Sequence, residues 1–235
     1  MSSAPNSDRE ADITDNAVTP HGNAVGEVSD MVSNRAALND GRNRRAAETR
    51  RKVIEAAKAM IVETSVAPTV VGVARRAEVS VRSVFQHFHD VESLFVTVVD
   101  SVQKELVIPP KTSSTLPLAE RVGSFTRNMA QLYEQVVSFR VAAGQFVGHP
   151  ALLERAHAIQ NGTRDAVLRI FTQEFSQLNE PDRERLADAI GVAMSLEAWV
   201  ALRRQHKMGI ERALAAWRLT LEALFSYPVT HAVAA

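Results

Sequence analysis

Arg82, Ser83, Gln86 and His87 crowd one short stretch, V-R-S-V-F-Q-H. If residues 81–87 form a helix, Val84 and Phe88, joined by Val81, turn to a core and leave those four side chains outward. An arginine takes guanine O6 and N7 together, and a glutamine takes adenine N6 and N7. The pattern therefore has the chemistry of a helix that reads base edges in a DNA groove. It equally suits an ordinary helical hairpin with a solvated polar face. An overlapping run, H-F-H-D-V-E, offers a different chemistry through His87, His89, Asp90 and Glu92. Histidine-aspartate pairs of this kind serve metal-dependent phosphohydrolases, with further ligands recruited here from His149, His157 or His206. Neutral histidines at a helix boundary are more often structural or phosphate-facing. No glycine-rich lysine loop and no serine elbow is present. No catalytic residue, metal ligand or cofactor is therefore assigned, and the phosphohydrolase stays as the alternative to a DNA-binding protein.

The elements that must hold this stretch are readable around it. Val70, Val71, Val73, Ala74 and Ala77 recur at helical spacing and predict an apolar stripe. Thr69 is placed to cap that helix, whose N-terminus is also suited to a phosphate. The helix breaks at Glu78-Val79, and Ser80 caps the next one. Upstream, residues 43–64 read as a long helix buried along Val53, Ile54, Ala57, Met60 and Ile61. Arg44, Arg45 and Arg51 sit near its start, either within reach of phosphates or as a solvated basic face. Downstream, a connecting helix begins near Val91, carries Leu94, Phe95, Val98, Val99, Val102 and Leu106 on its apolar side, and stops before Pro109-Pro110.

Over residues 45–99 this order resembles the TetR family of bacterial transcription regulators. The matching pieces are VIEAAKAMIVE, TVVGVARRA, VSVRSVFQHF and ESLF. The resemblance implies a three-helix DNA-binding domain followed by a fourth helix. It implies that Arg82, Ser83, Gln86 and Val81, entering behind the cap Ser80, meet base edges. Thr69, Phe85, His87, Arg44 and Arg45 would then hold phosphates. Two positions depart from the family. Glu78 stands where glycine is usual in the turn, a site whose positive φ costs any other residue. Val91 stands where a lysine usually meets a phosphate, which lowers the salt dependence of binding by about one unit.

Composition bounds the rest. The chain has 235 residues, 46% of them hydrophobic, enough to bury a sizeable core. No alternating β-branched run stands out, so the fold class is all-α. Lysine plus arginine balance aspartate plus glutamate at 27 each. The balance is uneven along the chain: residues 42–58 carry seven basic against two acidic side chains, and residues 75–87 carry three against one. Positive charge thus gathers around the helix-turn-helix. Cysteine is absent, which excludes disulfides and fits a reducing cytoplasm. No secretory signal and no membrane-spanning run is evident. Residues 1–41 are too polar to offset their ordering entropy and are expected to be a disordered tail, with a transient helix near residues 28–38.

From Leu116 the chain turns to amphipathic helices, predicted over residues 117–145, 150–159, 162–178, 181–205 and 210–225. Residues 189–202 carry a single charge and are expected to be buried on more than one face. The last helix shows a stripe of Ile210, Leu214, Trp217, Leu221 and Leu224, with Ala213, Ala216, Thr220 and Ala223 as small neighbours. Both features suit a homodimer interface. The resemblance further implies a pocket for a small apolar or aromatic effector, which Phe125, Met129, Tyr133, Phe146, Phe171, Phe175 and Met194 would line. Taken singly, each of these residues suits an ordinary core better, since aromatics and methionines at helical spacing usually pack there. Glu197, a carboxylate within an apolar run, needs a partner such as Arg203, Arg204 or an arginine from another helix, or serves as a polar anchor for the effector.

The expected architecture is thus a tail (1–41), a helix-turn-helix DNA-binding domain (42–90), a C-terminal effector-binding and dimerisation domain (91–227) and a short tail (228–235). The expected function is a ligand-responsive homodimeric repressor on a palindromic operator, with no membrane partner.

Overall fold

A computed structural model describes the backbone of residues 24–226 and the side chains of residues 40–226. The tails expected over residues 1–23 and 228–235 lie outside the described residues. Ten α-helices follow one another with no strand among the described residues, so the all-α expectation holds. The chain divides into two compact units, Met1–Ala47 and Glu48–Ala235. No division falls at residues 90–91, because the core of the first helices extends into the C-terminal ones.

Helix α1, Ala24–Thr64, begins well before the predicted start at residue 43 and includes the stretch expected to be only transiently helical. In the first unit, Arg44 Nε lies 3.4 Å from the Asp40 carboxylate and Arg45 Nε donates to the Gly41 carbonyl at 3.1 Å. In the second unit, Val53, Ala57 and Ile61 are fully buried along the predicted stripe of α1. They meet Val73 and Ala74 of α2 (Val70–Arg76), Val84 of α3 (Val81–His87) and Leu94, Phe95 and Val98 of α4 (Val91–Glu105). Val71 is the exception to its predicted stripe, since it is exposed.

Helix α5, Leu118–Ala142, runs through both cores. Its last turn places Phe139 and Ala142 among the first group, while Val122, Phe125 and Met129 belong to a second. A 3-10 turn at Ala143–Gln145 ends it near Gly144, as the glycine suggested. Helix α6, Pro150–Ile170, is continuous where the sequence suggested two helices. Gly162 lies in its exposed middle, and one glycine costs a helix only about 1 kcal/mol. The true break comes at Phe171, before the short α7 (Thr172–Phe175).

The predicted helix over residues 181–205 is likewise two. Helix α8, Glu180–Ala193, ends at Met194; Ser195 then caps α9, Leu196–Val200, accepting from Ala198 N at 3.1 Å. A π-helical turn, Ala201–Gln205, follows, and α10, Ile210–Ser226, closes the chain. No helix among the described residues is long and apolar enough to cross a membrane.

Both breaks free a backbone carbonyl inside the bundle, and α5 satisfies both. Arg121, 1% exposed, donates Nη1 to the Ile170 carbonyl at 3.1 Å and Nε to the Leu116 carbonyl at 2.8 Å. Its two terminal nitrogens grip Glu174 at 2.6 Å each. Tyr133 donates its hydroxyl toward the Met194 carbonyl at 3.3 Å and lies 2.9 Å from Thr163 Oγ1. Nearby, the Glu134 carboxylate accepts from Trp199 Nε1 at 2.8 Å and Arg203 Nε at 2.7 Å.

Two predictions follow from strain and charge in this frame. Glu78 has φ +56°, so Glu78→Gly relieves a left-handed residue. Less the extra unfolded-state entropy of glycine, it should stabilise the fold by about 0.5–1 kcal/mol, read as a higher urea midpoint. Burial pushes the Glu134 and Glu174 carboxyls up, but the hydrogen bonds and charge of Arg203 and Arg121, aided by Trp199 at Glu134, outweigh it and hold both below the ordinary 4.5. Their contribution is complete above that value and drains away as the pH falls through the lowered folded-state values. Thermal melts should lose stability as the pH drops below 4.5, and Glu134→Gln should flatten that loss.

Candidate nucleic-acid face and bundle cavity

The turn between α2 and α3 is built by backbone bonds and two caps. Val79 N donates to the Ala74 carbonyl at 3.0 Å and Glu78 N to the Arg75 carbonyl at 3.3 Å, the paired bonds of a left-handed helix stop. Glu78 fills the left-handed position where glycine is preferred. Thr69 Oγ1 accepts from Gly72 N at 3.1 Å and Ser80 Oγ accepts from Ser83 N at 3.0 Å, so both predicted caps form. Gly72 also permits a close approach to α1: a Cβ there would lie 2.9 Å from Met60 Cε.

Helix α3 is held from beneath and open above. Val84 is 1% exposed and Phe88 4%, with the Arg50 guanidinium 5.1 Å over the Phe88 ring. Arg82 and Gln86 are exposed, and neither makes a side-chain hydrogen bond or ion pair among the described residues. The Ser83 hydroxyl is 2.8 Å from that of Ser80, and His87 is half-buried beside Phe88. Val81 is exposed rather than core-facing, and Phe85 is exposed at 52%. Phe85 has no polar hydrogen, so it offers apolar contact where the sequence reading had it hold a phosphate. Arg76 is spent on Glu63 through two bonds of 2.7 and 2.6 Å, while Arg75 is exposed with no partner among the described residues.

The alternative histidine cluster is also placed. The Asp90 carboxylate caps α4, accepting from Ser93 N at 2.7 Å. His149 Nε2 lies 3.9 Å from Glu92. Among the described residues no three His, Asp or Glu side chains converge as metal ligands.

In the bundle, a half-open cavity of about 100 Å³ is enclosed by α4, α5, α6, α8 and α9. Its walls are mainly apolar, from Val99, Val102, Val136, Phe139 and Leu196 among others, and its polar groups include Tyr133, Arg140, Arg155 and Glu197. Of the residues expected to line an effector site, the structure brings only Tyr133 and Glu197 to this cavity. Phe125, Met129, Phe171, Phe175 and Met194 pack in the bundle core, and Phe146 packs on Phe95 with ring centres 4.8 Å apart. Glu197 is exposed, not buried, and accepts from Arg140 Nε at 2.9 Å; Arg203 goes to Glu134 and Arg204 to Ser138. The sequence reading missed Arg140, Arg155 and the α4 residues as cavity lining. A charged residue on an otherwise apolar helical face was the available signal for Arg140.

Helices α8 and α10 pack together. Trp217 and Leu221 of the predicted stripe are buried, as is Ala213, while Ile210 is exposed. Val192 on α8 and Leu219 on α10 are each 68% exposed, and Ala189, Thr220 and Ala223 are exposed too. The run 189–202 is therefore not buried all round.

Compared with known proteins, the chain matches no family model and no curated protein.

Tyr133 joins the cavity wall to the α8–α9 break. Tyr133→Phe removes its bond to the Met194 carbonyl and should cost about 1–2 kcal/mol in denaturant unfolding with helix content unchanged.

Proposed function

We propose that this chain is a sequence-specific DNA-binding transcriptional regulator of the TetR type, acting as a ligand-responsive homodimeric repressor. The observation that carries this reading is the upper face of α3: Arg82 and Gln86 are exposed and unpaired on a short helix whose other side is locked into a core. Helices α2 and α3 are then the helix-turn-helix. Arg82, Gln86 and Ser83 read base edges from the major groove. Val81 and Phe85 suit thymine methyl groups. Arg75, Thr69 and His87 serve the phosphates.

Reading a palindrome requires a second copy related by a two-fold axis. The apolar Val192 and Leu219, left exposed on adjoining helices, support α8 and α10 as the shared face. Helix α4 links ligand to DNA, because Val102 belongs to the core beneath α3 and also lines the cavity. An occupant that shifts α4 changes the spacing of two reading helices and so favours release.

Selection of duplexes from a random pool, followed by binding at moderate salt, tests the reading. The protein should enrich a palindrome and bind it as a dimer. Arg82→Ala should weaken that binding by about 1–3 kcal/mol and relax preference at one base pair of each half-site. A monomer with no preference among duplexes would overturn it.

A further inference from the structure

Arg140 has an unfinished coordination at the rim of the bundle cavity. Its Nε is spent on Glu197 at 2.9 Å, but the terminal nitrogens, with four N–H groups, have no partner among the described residues. A guanidinium's terminal edge matches a carboxylate through two parallel bonds. The other charged groups leave this as the open position. Arg155 is held by Asp100 at 2.6 Å and by the Ala151 carbonyl at 2.5 Å. Glu197 is already neutralised by Arg140. The Tyr133 hydroxyl is engaged with Thr163 and Met194. Beyond this edge the walls are mainly aliphatic and aromatic, with Gln103, Gln160, Thr163 and Ser195 among them.

We infer that the cavity binds an apolar carboxylic acid, its carboxylate on the free edge of Arg140 and its hydrocarbon body among Val99, Val136, Phe139 and Leu196. An anion is favoured because, among the charged groups of the lining, Arg140 alone keeps unused donors. An amine would meet Arg140 instead of a free carboxylate, and an alcohol would leave the arginine's second donor unpaired. That this acid is the effector rests on the regulator reading; that it binds does not.

Octanoate, octanol and octylamine, matched in chain, test this on the full protein without DNA. Binding is read by calorimetry and by the fluorescence of Trp199 and Trp217; Trp217 stacks edge-on to Tyr133 with ring centres 5.9 Å apart. Octanoate should bind about tenfold to a hundredfold more tightly than either analogue, the range expected of a charge-assisted pair. Arg140→Leu should abolish that preference while helical circular dichroism stays unchanged. Arg140→Lys, which keeps charge but loses the fork, should retain part of it. Equal binding of the three compounds, undiminished octanoate binding by Arg140→Leu, or no octanoate binding at all would each overturn the inference. Duplex selection is scored separately, so octanoate binding by a protein with no DNA preference would sink the regulator reading and leave this site standing.

Discussion

A helix that breaks inside a protein leaves carbonyl oxygens without partners, and a buried carbonyl must find one. This constraint governs the bundle. The chain breaks at Phe171 and again at Met194, and in both places α5 supplies the missing donor, Arg121 for Ile170 and Tyr133 for Met194. Arg121 is costly to bury alone, and it is held by the paired Glu174 carboxylate and two carbonyls. Replacing either donor would strand a polar group in an apolar interior, so the breaks, the central helix and the cavity wall are specified together.

The same helix ties the two cores. Phe139 and Ala142 of its last turn pack with α1, α2, α3 and α4, whereas Val122 and Phe125 pack with α6, α8 and α10. Ion pairs reinforce the seam: Lys58 with Glu105 joins α1 to α4, and Asp100 with Arg155 joins α4 to α6. Helix α4 thus has one side in the core beneath α3 and another against the cavity. Half-exposed pairs of this sort add little stability. Their consequence is positional, because they fix the height of α4 against both neighbours.

Function follows from what this packing leaves uncommitted. On α3 the core takes Val84 and Phe88, and the opposite side is left with Arg82 and Gln86. Around the cavity each charge is matched except the terminal edge of Arg140. On α8 and α10 the core takes Ile190, Trp217 and Leu221 and leaves Val192 and Leu219 outside. These are three surfaces of different chemistry: a polar helix face with a free arginine, a mainly apolar cavity with one open guanidinium edge, and a pair of helices with apolar side chains left exposed. In the proposed function they would take, respectively, a nucleic acid, an amphipathic acid and a second copy of the chain.

The sequence by itself determined the local features. Helical spacing gave the buried stripes of α1 and α4. Thr69 and Ser80 were legible as caps because a cap reaches only three residues along the chain. Glu78 was legible as strained through the resemblance, which puts glycine at that position of the turn. Ser195, followed by Leu196 and Glu197 at a helix start, carried the same capping signal within an apolar run that otherwise read as one helix. Only the tertiary structure decided which apolar residues line space and which fill it. Phe125, Phe171 and Arg140 are indistinguishable in this respect until helices distant in the chain are brought together. Arg121 and Tyr133 could not be read as closures of helix breaks either, since their partners lie 49 and 61 residues away. Periodicity records which face of a helix is buried, but a cavity and a satisfied carbonyl are properties of the neighbours that face meets.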